Sequence, residues 1–170
     1  MAKLIIGATG GIKVLANGTE ISNVTSISLP EIELSSEELT GAGILGTIAM
    51  PSPGQFGAMT TSISLRAAGK DKKYLIVEIV NLEIRIAANV RDSEGRLYVS
   101  GTRIYVRGNP IKITNGSAEI SKTRDESIDY STTRYREVVD GEETFLIDQI
   151  AGAYRVGGKD MLTGLKSALG

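Results

Sequence analysis

Few side chains in this sequence are suited to covalent or acid–base chemistry. The 170 residues include no cysteine and no histidine, which removes thiolate chemistry, Cys-based metal sites and the commonest general base. No serine lies in a nucleophile elbow, and without histidine a conventional catalytic triad cannot be assembled. The sequence therefore argues against an enzyme, and we expect no catalytic residues, no metal and no cofactor.

Two short motifs invite a ligand-binding interpretation that their context does not support. Residues 7–11 are glycine-rich and follow an apolar run, like the phosphate turn of a dinucleotide-binding unit, but that turn must open a helix. Here Asn17-Gly18, a strong hairpin signal, follows instead, so we expect a flexible N-terminal segment leading into a hairpin. Residues 92–95 suggest a calcium loop but lack its alternating acidic ligands, which favours a turn.

One stretch of alternating residues carries a polar pattern that could serve a function. From residue 117 to residue 133 the nine odd positions hold only hydroxyl and carboxylate side chains. A solvated face of an antiparallel sheet is the ordinary explanation, but such faces usually include Lys or Arg. A face without cations would let a polyanion slide past without binding, because it offers no sites for the counterion release that holds phosphates on basic surfaces.

A long segment, residues 35–58, lies between two predicted strands. Residues 27–34 alternate apolar and polar side chains, with a change of phase at Pro30, and residues 59–66 alternate regularly, as half-buried strands do. Residues 35–58 between them are rich in Gly, Pro, Ser and Thr. Ordering a backbone costs on the order of 1–2 kcal/mol per residue, which the few apolar side chains of this segment cannot offset in water. We therefore expect an arm that becomes ordered against a partner.

The rest of the chain is predicted mostly as strands. We expect a short helix over residues 72–80, although its β-branched residues favour a strand, and a strand from Leu82 onward. Further predictions are listed in order along the chain: a strand over 96–107, a loop through 108–116, a strand over 117–139 that is broken once, a strand over 142–148, and a C-terminal docking helix or swapped arm over 160–169.

Composition limits the class of protein. Apolar residues make up 41% of the sequence, with two Phe and no Trp, so the core must consist mainly of Ile, Val and Leu. The net charge of −1 provides no global basic field for holding nucleic acid. Neither a signal peptide nor a membrane-spanning run is apparent, so we expect synthesis in the cytoplasm and no stable membrane association.

Several motifs occur in the order and spacing typical of one family. They are Leu29-Pro30 at the end of a strand, Gly41-Ala42-Gly43-Ile44-Leu45-Gly46 as GAG-x-x-G, Arg107-Gly108-Asn109-Pro110 as RG-x-P, Asp140-Gly141 as DG, Ile147-Asp148 as ID, and Ala168-Leu169-Gly170 at the end. Over some 140 residues the sequence resembles the major tail tube proteins of contractile-tailed phages and the tubes of R-type bacteriocins. Ala151 and Gly157 replace two asparagines of the family pattern.

The resemblance implies a mostly β, antiparallel β-sandwich or half-barrel with one short helix and a long β-hairpin arm. A single tail-tube domain over 1–170 would contain an inter-ring arm at about 35–58 and a C-terminal segment at about 142–170. Six copies would close into a ring around a channel, and rings would stack into a tube. Inter-ring contacts are expected at Leu39, Gly41, Ala42, Gly43, Ile44, Leu45, Gly46, Ile48, Met50 and Phe56. Lumen-lining residues are expected to be Glu119, Asp125, Ser127, Asp129 and Ser131.

The implied partners are further copies of the chain, a sheath protein outside the tube, a baseplate and a tail terminator at its ends, and double-stranded DNA in transit. The protein would then reside in a virion or bacteriocin particle after synthesis in the host cytoplasm. Two alternatives remain open. One is the tube of an R-type bacteriocin or a related contractile secretion particle; the other is a β-sandwich binding module, which should expose an aromatic-lined concavity.

Overall fold

The computed structural model describes residues 4–170. Segments in which apolar and polar residues alternate form most of its twelve strands, and two short α-helices complete the fold. The strands are β1 Ile5–Ala16, β2 Thr19–Glu20, β3 Val24–Ser28, β4 Leu34–Leu39, β5 Ile48–Phe56, β6 Met59–Arg66, β7 Val80–Arg91, β8 Leu97–Thr114, β9 Asp125–Val139, β10 Glu142–Asp148, β11 Ala153–Val156 and β12 Lys159–Asp160. A 3₁₀ turn at Gly69–Asp71 leads into α1, Lys72–Leu75, and α2 spans Thr163–Leu169.

Two long strands, β8 and β9, are shared between two parts of one antiparallel sheet. The first half of β9 pairs with β6, and its second half pairs with β10. The long sheet therefore has the order β12-β11-β10-β9-β8-β7-β1-β2, and the short sheet has the order β3-β6-β9-β8. The short sheet uses the first half of β9 and the last residues of β8.

The core lies between these two parts of the sheet. Ile63 and Leu65 of β6 and Ile128 and Tyr130 of β9 belong to one buried cluster with side chains of the long sheet, namely Val14, Ala16, Leu82, Ile84, Ile104 and Val106. Burying each such aliphatic side chain contributes about 1.5–3 kcal/mol. The prediction of a mostly β, antiparallel fold with an aliphatic core is confirmed.

The bend from the long sheet to the short sheet occurs at Gly108. The β8–β9 register shifts between Arg107 and Gly108 and again between Pro110 and Lys112, which marks two bulges. A Cβ atom at Gly108 would lie 2.6 Å from the carbonyl oxygen of Ser131, closer than two such atoms can approach. The predicted loop through 108–116 is wrong for residues 108–114, because the bulges absorb the glycine and proline and the strand continues to Thr114.

Three other predictions of local structure need correction. The described part of the N-terminal segment, expected to be flexible, is a strand, since β1 pairs with β7 from Ile5 to Ala16, and the expected hairpin at Asn17-Gly18 is confirmed with both φ angles positive. The helix ends at Leu75 rather than residue 80. Residues 117–124 precede β9 and are not part of a strand.

The arm is a separate two-stranded hairpin formed by β4 and β5. The predicted β-hairpin is therefore confirmed; that it becomes ordered against a partner stays a prediction. At the other end of the chain, α2 confirms the C-terminal helix, which begins at Thr163.

Replacing Gly108 with alanine should destabilise the protein by about 1–3 kcal/mol, because the new methyl group must displace the backbone of β9. Urea unfolding of the dissociated subunit measures this change. Gly101→Ala is the matched control, since Gly101 lies on the same strand and no atom would come within 4 Å of its Cβ. Equal stability of the two variants would contradict the role assigned to the bend.

Candidate assembly surfaces

The short sheet has two edges without a partner strand in the part of the chain that the structure describes. β3 pairs with β6 alone. On the opposite side, the pairing of β8 with β7 ends at Gly108, so that residues 109–114 pair with β9 only. Both edges therefore present backbone N–H and C=O groups that are available for pairing with another strand.

The two edges carry matching patterns of side chains. On β3, Ile27 lies opposite Ile63 on the core side, and Ser28 lies opposite Ser62 on the other face. On β8, Ile113 lies opposite Ile128 on the core side, and Lys112 and Thr114 share the other face with the polar residues of β9. Ile113 remains 43% exposed because no strand lies beside it. A β3 strand from a second copy would extend both the apolar face and the polar face.

The polar stripe predicted from the sequence lies on the solvent-facing side of the short sheet. Asp125, Ser127, Asp129 and Ser131 alternate along β9 with four buried residues, Glu126, Ile128, Tyr130 and Thr132. The structure thus brings four of the five predicted lumen-lining residues onto one face. The fifth, Glu119, lies in the turn before β9, where it forms an ion pair with Lys122, and is not on this face.

Hydroxyl side chains of two neighbouring strands extend this stripe into a broad surface, which we call the hydroxyl face. Thr60, Ser62 and Ser64 of β6 lie opposite Ser131, Asp129 and Ser127, and Ser26 and Ser28 of β3 lie beyond them. The Ser62 hydroxyl donates a hydrogen bond to Asp129. Sequence reasoning noticed the alternation of residues 60–64 but did not connect it with β9, since the pairing joins residues more than sixty positions apart.

Two cations also occupy the hydroxyl face. Arg66 lies directly opposite Asp125, and Lys112 lies opposite Asp129, and residues paired in this way point to the same side of the sheet. The stripe on β9 is free of cations, but the surface as a whole carries charges of both signs. The sequence predicted a face without cations that would not bind a polyanion. That description fits the stripe on β9 but not the full hydroxyl face.

The arm carries its exposed apolar side chains on one face and at its tip. Leu39 lies opposite Ile48, and Glu37 lies opposite Met50, so these four side chains share a face of the hairpin. Leu45 at the tip is fully exposed. Gly43 and Gly46 have φ angles of 90° and 89°, the left-handed conformation that glycine adopts readily.

The root of the arm packs against the C-terminal segment. The ring centroid of Phe56 lies 5.0 Å from that of Tyr154, which in turn lies 5.8 Å from Phe145. Gln149 Nε2 donates a 3.1 Å hydrogen bond to the carbonyl of Gly57. Phe56 is thus a root residue, whereas the other nine predicted inter-ring residues lie farther out along the hairpin.

Helix α2 lies over the same root. A Cβ atom at Gly54 would lie 3.1 Å from Leu162 and 3.8 Å from Leu165. Asp160 accepts hydrogen bonds from Lys166 Nζ and from the backbone N–H of Leu162, and these two contacts lower the pKa of the Asp160 carboxyl. The sequence motifs at the C-terminus gave no signal for this contact with the arm.

The described residues offer little chemistry beyond packing and pairing. Burial raises the pKa of Tyr130, whose hydroxyl donates a 2.8 Å hydrogen bond to the carbonyl of Leu75, so this phenol serves the core. Within residues 4–170 no group of three or more acidic, His or Cys side chains is placed to hold a metal ion. No helix in that range combines the length and apolar character needed to cross a bilayer.

A mostly β subunit with two unpaired, matching sheet edges and a projecting apolar hairpin has the construction of a self-assembling structural protein. Sequence comparison identifies the class more closely. The chain belongs to the phage tail tube protein FII family, whose model matches residues 10–170. The resemblance found from the sequence motifs is confirmed, and the protein is a structural tail tube subunit.

Similar folds occur among solved structures. One chain of a cryo-EM structure of an extracellular contractile injection system, the PVC sheath-tube complex in the extended state, matches with a TM-score of 0.53 and 15% identity, covering 75% of this chain and 87% of that chain. A chain from the anti-feeding prophage baseplate matches with a TM-score of 0.46 and 10% identity, covering 75% and 90%. Comparison with curated protein sequences gives no significant match.

Replacing Phe56 with alanine should loosen the root of the arm, because the edge-to-face contact with Tyr154 contributes about 0.5–1.5 kcal/mol in addition to the buried area. Amide hydrogen exchange in β4 and β5 should become roughly tenfold faster while exchange in β7 is unchanged. Leu45→Ala, at the exposed tip, is the control and should leave exchange in β4 and β5 unaltered. Unchanged exchange in the Phe56 variant would show that the root is held by other contacts.

Proposed function

We propose that the protein is the structural subunit of the inner tube of a contractile tail, that six copies close into a ring, and that rings stack through the arm. It acts as one tail-tube domain and carries out no catalysis. The observation that supports ring closure is the pair of matching free edges on the short sheet, formed by β3 and by residues 109–114 of β8. A contact between two different edges is head-to-tail, and it closes into a ring when the rotation permits.

The size of the resulting barrel is consistent with a channel. Each copy contributes the four strands of the short sheet, so six copies would give about twenty-four strands, whereas barrels of 16–18 strands already leave an aqueous lumen. The hydroxyl face would then line the channel. Because its acids are balanced by Arg66 and Lys112, it would hold phosphates weakly, and small hydroxyl side chains would leave the wall smooth.

The proposed partners follow from this arrangement. The long sheet would face outward toward a sheath; a sheath as partner is supported by the sheath-tube complex to which one similar chain belongs. A baseplate and a tail terminator would bind the two ends of the tube, and double-stranded DNA would pass through a phage tube. A bacteriocin or secretion-particle tube is the second candidate, since it shares the same fold, and either places the protein in a particle assembled in the host cytoplasm.

Purified protein should form rings and tubes at high concentration in negative-stain electron microscopy.

Deletion of residues 39–55, bridged by a short Gly-Ser turn, should leave rings but remove tubes, because the core strands lie outside that range and the exposed apolar face of the arm lies within it. Circular dichroism confirms that the deletion variant is folded. A wild-type protein that sediments as a strict monomer at millimolar concentration would contradict the proposal, and normal tubes from the deletion variant would contradict the role of the arm.

Replacing Asp125 and Asp129 with lysine should slow or block DNA ejection while sparing ring formation. The two substitutions remove the charge balance of the hydroxyl face and create a basic wall, on which counterion release favours phosphate binding. Glu94→Lys/Glu142→Lys makes the same charge change at two exposed positions away from this face, one in the β7–β8 turn and one at the start of β10. Ejection kinetics measured in particles carrying each variant compare the two. Equal ejection rates would place the hydroxyl face outside the channel.

A further inference from the structure

Three polar side chains meet where α1 lies close to the end of β8. They belong to Lys72 of α1, Asn115 directly after β8, and Glu126 of β9. The Nζ atom of Lys72 donates a hydrogen bond to Asn115 Oδ1 and lies 3.3 Å from Glu126 Oε2. An amine, a side-chain amide and a carboxylate are thus brought together, and we call these three residues the Lys–Asn–Glu cluster.

The fold fixes the backbone on both sides of this cluster. Gly116 follows Asn115 with a φ angle of 68°, and a Cβ atom there would lie 2.2 Å from a carbonyl oxygen of β9, so the chain beside Asn115 packs directly on that strand. Helix α1 is anchored by Leu75, which is fully buried and whose carbonyl accepts the hydrogen bond of the Tyr130 hydroxyl. Lys72 and Asn115 are therefore held close together rather than meeting by chance.

Glu126 is the unusual member of the cluster. Its side chain is 1% exposed, and within residues 4–170 its two carboxylate oxygens accept no hydrogen bond. Arg124 forms an ion pair with Oε1, and Lys72 lies beside Oε2. Buried carboxylates normally accept hydrogen bonds. One that accepts none and lies beside an amine is placed to take a proton from that amine.

We propose that the cluster forms a covalent bond between Lys72 and Asn115. Glu126 accepts a proton from the Lys72 ammonium group, and the neutral amine attacks Cγ of Asn115. The new N–C bond forms, and the bond from Cγ to Nδ2 breaks. Lys72 loses two protons in all, and both leave with the Asn115 nitrogen as ammonium, so Glu126 ends as the carboxylate. The product is a secondary amide between two side chains, and no oxidant or other reagent is consumed.

The observed hydrogen bond is a starting arrangement for this reaction. It holds Nζ at the amide oxygen, and rotation about the Cβ–Cγ bond of Asn115, a torsion with broad energy minima, turns the face of the carbonyl toward the amine. Two groups held together in one molecule react as if at a very high concentration. Asn115 is exposed, so the released nitrogen can leave into solvent, whereas the base, Glu126, is shielded from water.

The crosslink would act on the region that contains the free edge of β8. It joins residues 43 positions apart and lies directly after Thr114, the last residue of that edge. A covalent link of this span restricts the unfolded chain, as a disulfide does, and thereby stabilises the fold. The reaction takes place once in each chain, without turnover, and is consistent with a subunit that acts on no substrate. It does not depend on the proposed function.

Intact-mass spectrometry of the denatured wild-type chain tests this proposal. Purified protein, kept in solution until its mass is constant, should be lighter by one ammonia than the mass calculated from its sequence. A tryptic digest should contain a branched peptide in which residues 71–73 are joined to residues 113–122, because trypsin does not cleave after a lysine whose amine is part of an amide. An unchanged mass overturns the proposal. A gain in mass without a branched peptide, as hydrolysis of the Asn115 amide gives, also overturns it.

Substitutions with matched controls assign the reaction to these residues. Lys72→Arg keeps the positive charge but presents a guanidinium that stays protonated and cannot attack, so this variant should keep its full mass. Lys73→Arg, at the next position, where the ammonium lies over the ring of Tyr74, should lose ammonia as the wild type does. Asn115→Ala should give no branched peptide, whereas Asn89→Ala, at an exposed position of β7, should give it. Loss of ammonia from Lys72→Arg overturns the proposal.

The role of Glu126 has its own measurement. Glu126→Gln removes the base while keeping the side chain's size and should slow the loss of ammonia about a hundredfold or more. Circular dichroism shows whether this buried substitution leaves the fold intact, and the comparison of Lys72→Arg with Lys73→Arg decides the proposal if it does not. An unchanged rate in folded Glu126→Gln overturns the assignment of the base. None of these outcomes depends on rings or tubes, so failure of this proposal leaves the proposed function intact.

Discussion

Unpaired backbone groups along the edges of the short sheet are the constraint on which the rest of the structure depends. A strand edge without a neighbour can pair with another strand, and within residues 4–170 the short sheet has two such edges, at β3 and at residues 109–114 of β8. The bend at Gly108 creates the second edge, because β8 turns away from β7 while remaining paired with β9. In the proposed ring a subunit would use both edges at once, since each edge would pair with the other kind of edge on a neighbouring copy.

The long sheet, the C-terminal segment and the arm have different roles in the proposed assembly. The long sheet closes the core from one side, and the C-terminal segment fixes the root of the arm through Tyr154, Gln149 and Leu162. The arm is a separate hairpin that joins the short sheet at the start of β6. The proposed sideways pairing and the proposed end-to-end stacking therefore use different surfaces, which would allow a ring to form before it is added to a tube.

The sequence alone predicted those elements that regular alternation or clear turn residues determine. The strand β6 and the hairpin at Asn17-Gly18 follow from the sequence because neighbouring residues determine them, and the arm follows from its length and composition. The course of β8 through Gly108 and Pro110 could not be predicted, since these residues also end strands and only the pairing with β9 shows that they form bulges. The extent of the hydroxyl face and the contact of α2 with the arm likewise depend on long-range pairing that no local pattern reveals.

Amide hydrogen exchange compared between assembled tubes and dissociated subunits tests the central claim most directly. If β3 and β8 join neighbouring copies, the amides of β3 and of residues 111–114 that face away from β6 and β9 should exchange rapidly in the subunit and become strongly protected in the tube. The amides of β7, paired on both sides within one chain, should be protected in both states and serve as the internal control. Tubes in which β3 and residues 111–114 exchange as fast as in the subunit would contradict the account.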